Sequence, residues 1–268
     1  MDLLKRNIAP VTPDAWEQID QEAKSVFQVY LAARKLVDFD GPHGWKYSAY
    51  NTGRLALFDK DRVKGVKGGL RQVQPLVEFR TPIVMPMLEL DYIARGAEAH
   101  LEPVAEAAKR IALAEDSAIF NGHPEAGIKG LVDSSSHKPV RLPKDGTGYP
   151  DSIAEAAGKL REAGVAGPYA LALGVKEYNQ LARVAGEGGY PIRKHIERQI
   201  VDGPIVMAPG LEGGLLLSQR GGDFILTVGQ DLSVGYAYHD KDQVEFYITE
   251  SFTFRVLEPD AVVQLSAK

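Results

Sequence analysis

The chain of 268 residues contains no cysteine. Disulfides, thiolate nucleophiles and cysteine metal sites are therefore excluded, and the composition fits a reducing interior. Positive charge is also scarce. The 31 Lys and Arg face 36 Asp and Glu, for a formal net charge of -5. A surface built to coat nucleic acid needs the opposite balance. No apolar run approaches the ~20 residues that span a bilayer. Met1–Arg6 lacks the apolar centre of a signal peptide. A soluble cytoplasmic protein with no nucleic-acid or membrane partner is expected. Internal repeats and low-complexity tracts are missing too.

The usual carriers of chemistry are equally hard to find. His43, His100, His123, His137, His195 and His239 include no i, i+4 pair, and no H-E-x-x-H occurs. His195-Ile196-Glu197 reads as a helix surface, and Ser136-His137 as a solvated turn without a partner acid. No G-x-S-x-G elbow is present, and the glycine-rich stretches at 65–69, 186–189 and 210–214 match no phosphate-binding pattern. Catalytic residues, metal sites and resident cofactors are not expected.

What is there is patterned structure. From Pro103 to Asn121, the residues Val104, Ala107, Ala108, Ile111, Ala114, Ala118 and Ile119 make an apolar stripe at helical spacing, with Glu106, Arg110 and Asp116 expected on the wet side. Pro103 suits the first turn, and Asn121-Gly122 suits a left-handed stop. Thr12-Pro13-Asp14 opens a second amphipathic helix, predicted to run to about Val37, with Trp16, Ile19, Ala23, Phe27 and Leu31 on one face. Residues 54–75 read as a two-stranded arm of alternating apolar and basic residues, turned at Asp59-Lys60-Asp61. A lone hairpin is marginal in water, so this arm needs a surface to lie on. Pro75–Leu90 reads as extended, and Pro82 and Pro86 give it an edge position. Residues 132–220 alternate helices and short strands, including a helix with the capping pattern Ser152…Glu155. Val244–Val256 has strand period interrupted at Glu250, and Ala261–Leu265 is placed to close the same sheet. The whole is an α+β protein.

Three C-terminal stretches carry a resemblance: Ser218-Gln219-Arg220-Gly221-Gly222-Asp223-Phe224, Gly229–Tyr236 and Ile248–Phe254. Leu4-Lys5-Arg6, Trp16, Arg34-Lys35, Val37-Asp38, Gly41-Pro42, Gly44-Trp45, Leu88-Glu89-Leu90-Asp91 and Gly130-Leu131 extend it. In this order they resemble the encapsulins, shell proteins of bacterial nanocompartments. The resemblance implies the tailed-phage major capsid (Hong Kong 97-like) fold. Its peripheral domain would comprise 1–53, 76–131 and 221–268, its extension loop 54–75 and its axial domain 132–220. It further implies a non-enzymatic icosahedral shell of sixty copies around a cargo protein that carries a C-terminal targeting peptide. The cargo would be a ferritin-like ferroxidase serving iron storage and oxidative-stress protection, or, second, a dye-decolourising peroxidase. The matching positions for peptide docking are Phe27, Leu31, Arg34, Asp38, Asp231, Leu232 and Val234. A five-fold pore loop for small ions would be Gly186, Glu187, Gly188, Gly189 and Tyr190, with Glu187 favouring cations. Some relatives carry a flavin-associated tryptophan where this chain has Leu88, so no flavin is expected in the shell. The competing functions are a prophage capsid protein packaging DNA and a hydrolase or bacteriocin-like protein.

Overall fold

The computed structural model describes residues 3–185 and 191–267. The chain begins with α1, Pro13–Tyr30, where the Thr12 side chain accepts a bond from the Ala15 amide at 3.3 Å. The helix is shorter than predicted. Leu31 turns the chain, and a single 3-10 turn at Ala33–Lys35 leads into strand β1, Asp38–Asp40. Strands β2, Ala49–Leu57, and β3, Gly69–Pro75, form the arm. Strand β4, Val77–Pro86, runs into helix α2, Met87–Ala94, so Met87–Leu90 is helical and not extended. Helix α3, Glu102–Asn121, is the predicted long helix, ended by Gly122 at φ 87°.

The next segment holds a short helix α4, Leu131–Ser134; β5, Val140–Arg141; α5, Tyr149–Glu162; β6, Tyr169–Leu173; and α6, Val175–Arg183. Helix α5 starts a turn before the predicted cap. Ser152 lies inside it, and its hydroxyl donates to the Arg141 carbonyl at 2.9 Å. Helix α7, Ile192–Ile196, relaxes into a π turn at Glu197–Val201. Strands β7, Asp202–Met207; β8, Gly214–Ser218; β9, Phe224–Val228; β10, Ser233–His239; β11, Gln243–Val256; and β12, Val262–Ser266, complete the chain.

Among the described residues the strands form three sheets. The first runs β1-β9-β11-β10, with β4 antiparallel on β11 from Val77 to Pro86. Among the described residues β4 pairs with β11 alone, which gives it the edge position its prolines require. The second runs β5-β12-β8-β6-β7, and the third is the β2-β3 hairpin alone. Ala261–Leu265 does not close the first sheet. Strand β12 pairs with β8 and β5 in the second, so the C-terminal strand of the 221–268 segment leaves its expected domain. Alternating apolar residues specify which side of a strand is buried, and not which sheet it joins.

Helix α3 ties the two apolar clusters together. Val104, Ala107, Ala108 and Ile111 pack with α1, β10 and β11, while Ala118, Ile119 and Phe120 join the cluster around the second sheet. One expectation for this helix fails. Asp116 is fully buried, as is its neighbour Glu115.

Candidate functional site

Beyond its root, the hairpin pairs with no other strand among the described residues. On β2 and β3 and across their turn, Leu55, Leu57, Phe58, Val63, Val66, Leu70 and Val73 are each 52–69% exposed. The ladder pairs Asn51 with Val73 and then Leu55 with Arg71, so β2 carries a bulge at residues 52–54. Gly53, at φ 73°, supplies the left-handed residue this bulge needs, and Thr52 Oγ1 donates to the Gln72 carbonyl at 2.7 Å. The turn encloses an open hollow of about 700 Å³ lined by Phe58, Val63 and Val66, held by Lys67 and Asp61 at 3.1 Å. At the root, Gln74 Nε2 donates to the Phe254 carbonyl at 2.9 Å. Burying seven such side chains at ~1.5 kcal/mol each would yield on the order of 10 kcal/mol before ordering costs. That reserve is released only by contact with another surface.

A second constellation lies where α1 ends. The turn after α1 presents the Ala32 and Ala33 amides, which donate to the Asp116 carboxylate at 3.0 and 2.9 Å. Burial pushes the Asp116 carboxyl up to about 7, against the opposing effect of these two amides. Beside it, Arg34 Nε donates to Glu115 at 2.9 Å, and Nη1 donates to Asp231 at 2.8 Å. Arg34 Nη2 lies between Glu115 and Glu250, the latter at 3.4 Å. Burial acts to lower the guanidinium, but the Glu115 bond and the charges of Glu115, Asp231 and Glu250 carry it above its ordinary value. Burial, then the charge of Glu115, hold Glu250 well above the usual carboxylate range. The cluster locks α1, α3, β11 and the β9-β10 loop to one another.

The positions matched to peptide docking divide accordingly. Arg34 and Asp231 are bonded to each other, and Leu31 and Val234 are buried at 8% and 4% exposure. Phe27 and Leu232 are half-buried against the α1-β10-β11 cluster. Asp38 is exposed and accepts from the Gly222 amide at 2.6 Å. Arg34 and Asp38 both line a small cavity of about 90 Å³. The guanidinium expected to orient a peptide is thus engaged inside its own chain. Glu115, Asp116 and Glu250 were missed. The signal for Glu250 was its interruption of an otherwise apolar strand, and for the other two their place beside Ala118 and Ile119 on the buried stripe. Gly186–Tyr190, the matched pore loop, lies outside the described residues. Leu88 sits on α2, 49% exposed. Among the described residues there is no cluster of three or more potential metal ligands, and no helix long and apolar enough to cross a membrane.

A family described as "encapsulating protein for peroxidase" matches residues 1–253. The chain belongs to the encapsulin shell-protein family. A type 1 encapsulin shell protein of Rhodospirillum rubrum is 46% identical, covering 99% of this chain and 96% of that protein. One from Mycobacterium tuberculosis is 42% identical, covering 99% and 100%. The fold is that of the phage-capsid and encapsulin shells. The virus-like particle of Pyrococcus furiosus superposes with a TM-score of 0.62 at 15% identity, covering 92% of this chain and 98% of that one. Mycobacterium phage Bobi gives 0.59 at 13% identity, covering 90% and 91%.

Proposed function

We propose that this encapsulin chain is the wall unit of a closed icosahedral compartment in the cytoplasm, built from sixty copies, and that it houses a cargo enzyme without catalysing a reaction itself. The observation that carries the reading is the unpartnered hairpin, whose seven exposed apolar side chains match the need of a tile that clasps its neighbour. A stable contact of this kind buries on the order of 1,600 Å² per pair. Imaging the purified protein by negative-stain microscopy tests it: hollow particles are expected, and a dispersed monomer would end the proposal.

For the cargo we propose a ferritin-like ferroxidase, which would make the compartment an iron store. A dye-decolourising peroxidase is the second reading, favoured by the description of the matched family. Mass spectrometry of what co-purifies separates the two. A DNA-packaging capsid is disfavoured by the acidic balance of the chain and by the identity and coverage of its shell-protein relatives.

The proposed docking surface keeps the matched positions with altered roles. Phe27 and Leu232 are the half-buried apolar groups available to aliphatic peptide side chains, over the packed Leu31 and Val234. Asp38 is the exposed charge, while Arg34 and Asp231 hold the frame. Cargo retention should drop in Phe27→Ala and Asp38→Ala shells, and undiminished loading would remove this surface. For ion entry, Glu187→Lys is expected to slow Fe²⁺ uptake, through repulsion at the ring of loops. Flavin is left out of the shell because Leu88 provides no aromatic platform.

A further inference from the structure

A cavity of about 570 Å³ opens where the hairpin leaves the body, between its root and the end of β11. Its charge is one-sided. Arg54, Lys129 and Arg255 line it, and none of its lining residues is acidic. That local excess stands out in a chain whose formal net charge is -5. The three cations come from separate places, β2, the segment before α4, and β11, so chain proximity does not account for their convergence.

Two of the lining residues carry a buried polar atom with no hydrogen-bond partner among the described residues: Arg255 Nε and Ser134 Oγ. Buried polar groups are ordinarily paired, because leaving one unpaired costs about 1–3 kcal/mol. Arg255 is not loose. Its guanidinium carbon lies 3.4 Å from the centroid of the Tyr50 ring, and Nη2 reaches only a long 3.5 Å contact with Thr227 Oγ1. Stacking fixes the plane of a donor fork while leaving donors unspent, the arrangement that suits bidentate capture of an oxyanion. A single carboxylate would leave two of the three cations uncompensated. A phosphate dianion offers more charge and more acceptor oxygens. The remaining volume exceeds what phosphate occupies, and Phe254, Val256 and Leu257 give it apolar walls.

We infer that this cavity binds the phosphate group of a small phosphorylated molecule of up to mononucleotide size, held by Arg54, Lys129, Arg255 and Ser134. The inference rests on residues of one chain, and it requires that the cavity stay open when the hairpin that supplies Arg54 meets a neighbour.

Calorimetric titration of the purified protein, in whatever assembly state it adopts, tests it at low ionic strength, with inorganic phosphate and AMP as probes. Saturable binding is expected. Lys129→Gln and Arg54→Gln alter exposed side chains and should each weaken it about tenfold, the equivalent of one charge-assisted hydrogen bond. Arg255→Gln should weaken it further. Arg95→Gln, at the C-terminal cap of α2 beside Asp91, should leave it unchanged. Tighter binding of AMP than of phosphate identifies an organic phosphate as the occupant, and equal affinities identify free phosphate. No saturable binding of either probe, as when a neighbouring copy's acidic side chain fills the cavity, overturns the inference. Parent-level affinity in both Lys129→Gln and Arg54→Gln also overturns it.

Discussion

Replacing Arg34 by methionine strands a buried carboxylate. Glu115 is fully buried, and Arg34 supplies its Nε bond at 2.9 Å as well as the nearest compensating charge. Glu250, equally buried, loses the same cation. Asp231, 38% exposed at its side chain, is the partner that water can still serve. Breaking a buried ion pair by removing one member costs ~3–5 kcal/mol, mainly because the other charge remains without compensation. At ~2–4 °C per kcal/mol for a chain of this size, the melting temperature should fall by about 6–20 °C. The deficit should shrink on acidification. Burial holds the Glu250 carboxyl above its unfolded pKa, so with Arg34 gone its penalty is absent below that value and grows as pH rises through and beyond it. Scanning calorimetry at pH 5 and 7.5 reads both effects, at matched protein concentration because association raises apparent stability. Arg34→Met/Glu115→Gln, which removes the stranded charge, should recover at least half of the loss. A single variant that melts within ~2 °C of the parent at pH 7.5 would refute the reasoning. It would mean that Arg34 is free for a partner molecule after all.

Other substitutions probe the same frame. Asp116 has its carboxyl raised from 3.8 to about 7 by burial, so the folded state binds more protons than the unfolded one between those values and stability falls as pH rises across that window. Asp116→Asn should flatten the decline of melting temperature from pH 4 to 7, and an unchanged slope would assign the decline elsewhere. Thr12→Ala removes the side-chain cap of α1 and should cost ~1 kcal/mol in urea unfolding. Gly130→Ala places a methyl group against the Gly122 amide and 2.6 Å from the Phe120 carbonyl, so it should cost ~1–3 kcal/mol or more and lower the yield of folded protein.

The elements of this fold were legible wherever a local rule decided them. Thr12-Pro13 fixed the start of α1, Gly122 the end of α3, and the prolines of β4 its place at an edge. Partner choice between distant segments was not legible. Strand β12 has the pattern of an ordinary buried strand, and only the packing of the whole chain sends it to β5 and β8. The acidic residues of α3 show the same limit. Asp116 looks like a wet-side residue by type, yet its carboxylate is buried and accepts from the Ala32 and Ala33 amides in the turn after α1. Arg34 was matched as a binding residue, but its three partners lie 81, 197 and 216 residues further along the chain. The long hairpin was visible because apolar residues alternate with basic ones on both sides of the charged turn at Asp59-Lys60-Asp61.

Sedimentation velocity of the purified parent beside a Leu57→Asp/Leu70→Asp variant tests the central claim most directly. Leu57 and Leu70 are 69% and 66% exposed, so the changes leave the fold of one chain intact while placing charge where a neighbour must bury carbon. The parent should sediment as one large closed particle, and the variant as folded subunits near 29.2 kDa or small multiples of it. A parent that runs as a compact monomer, or a variant that still forms complete particles, would contradict it.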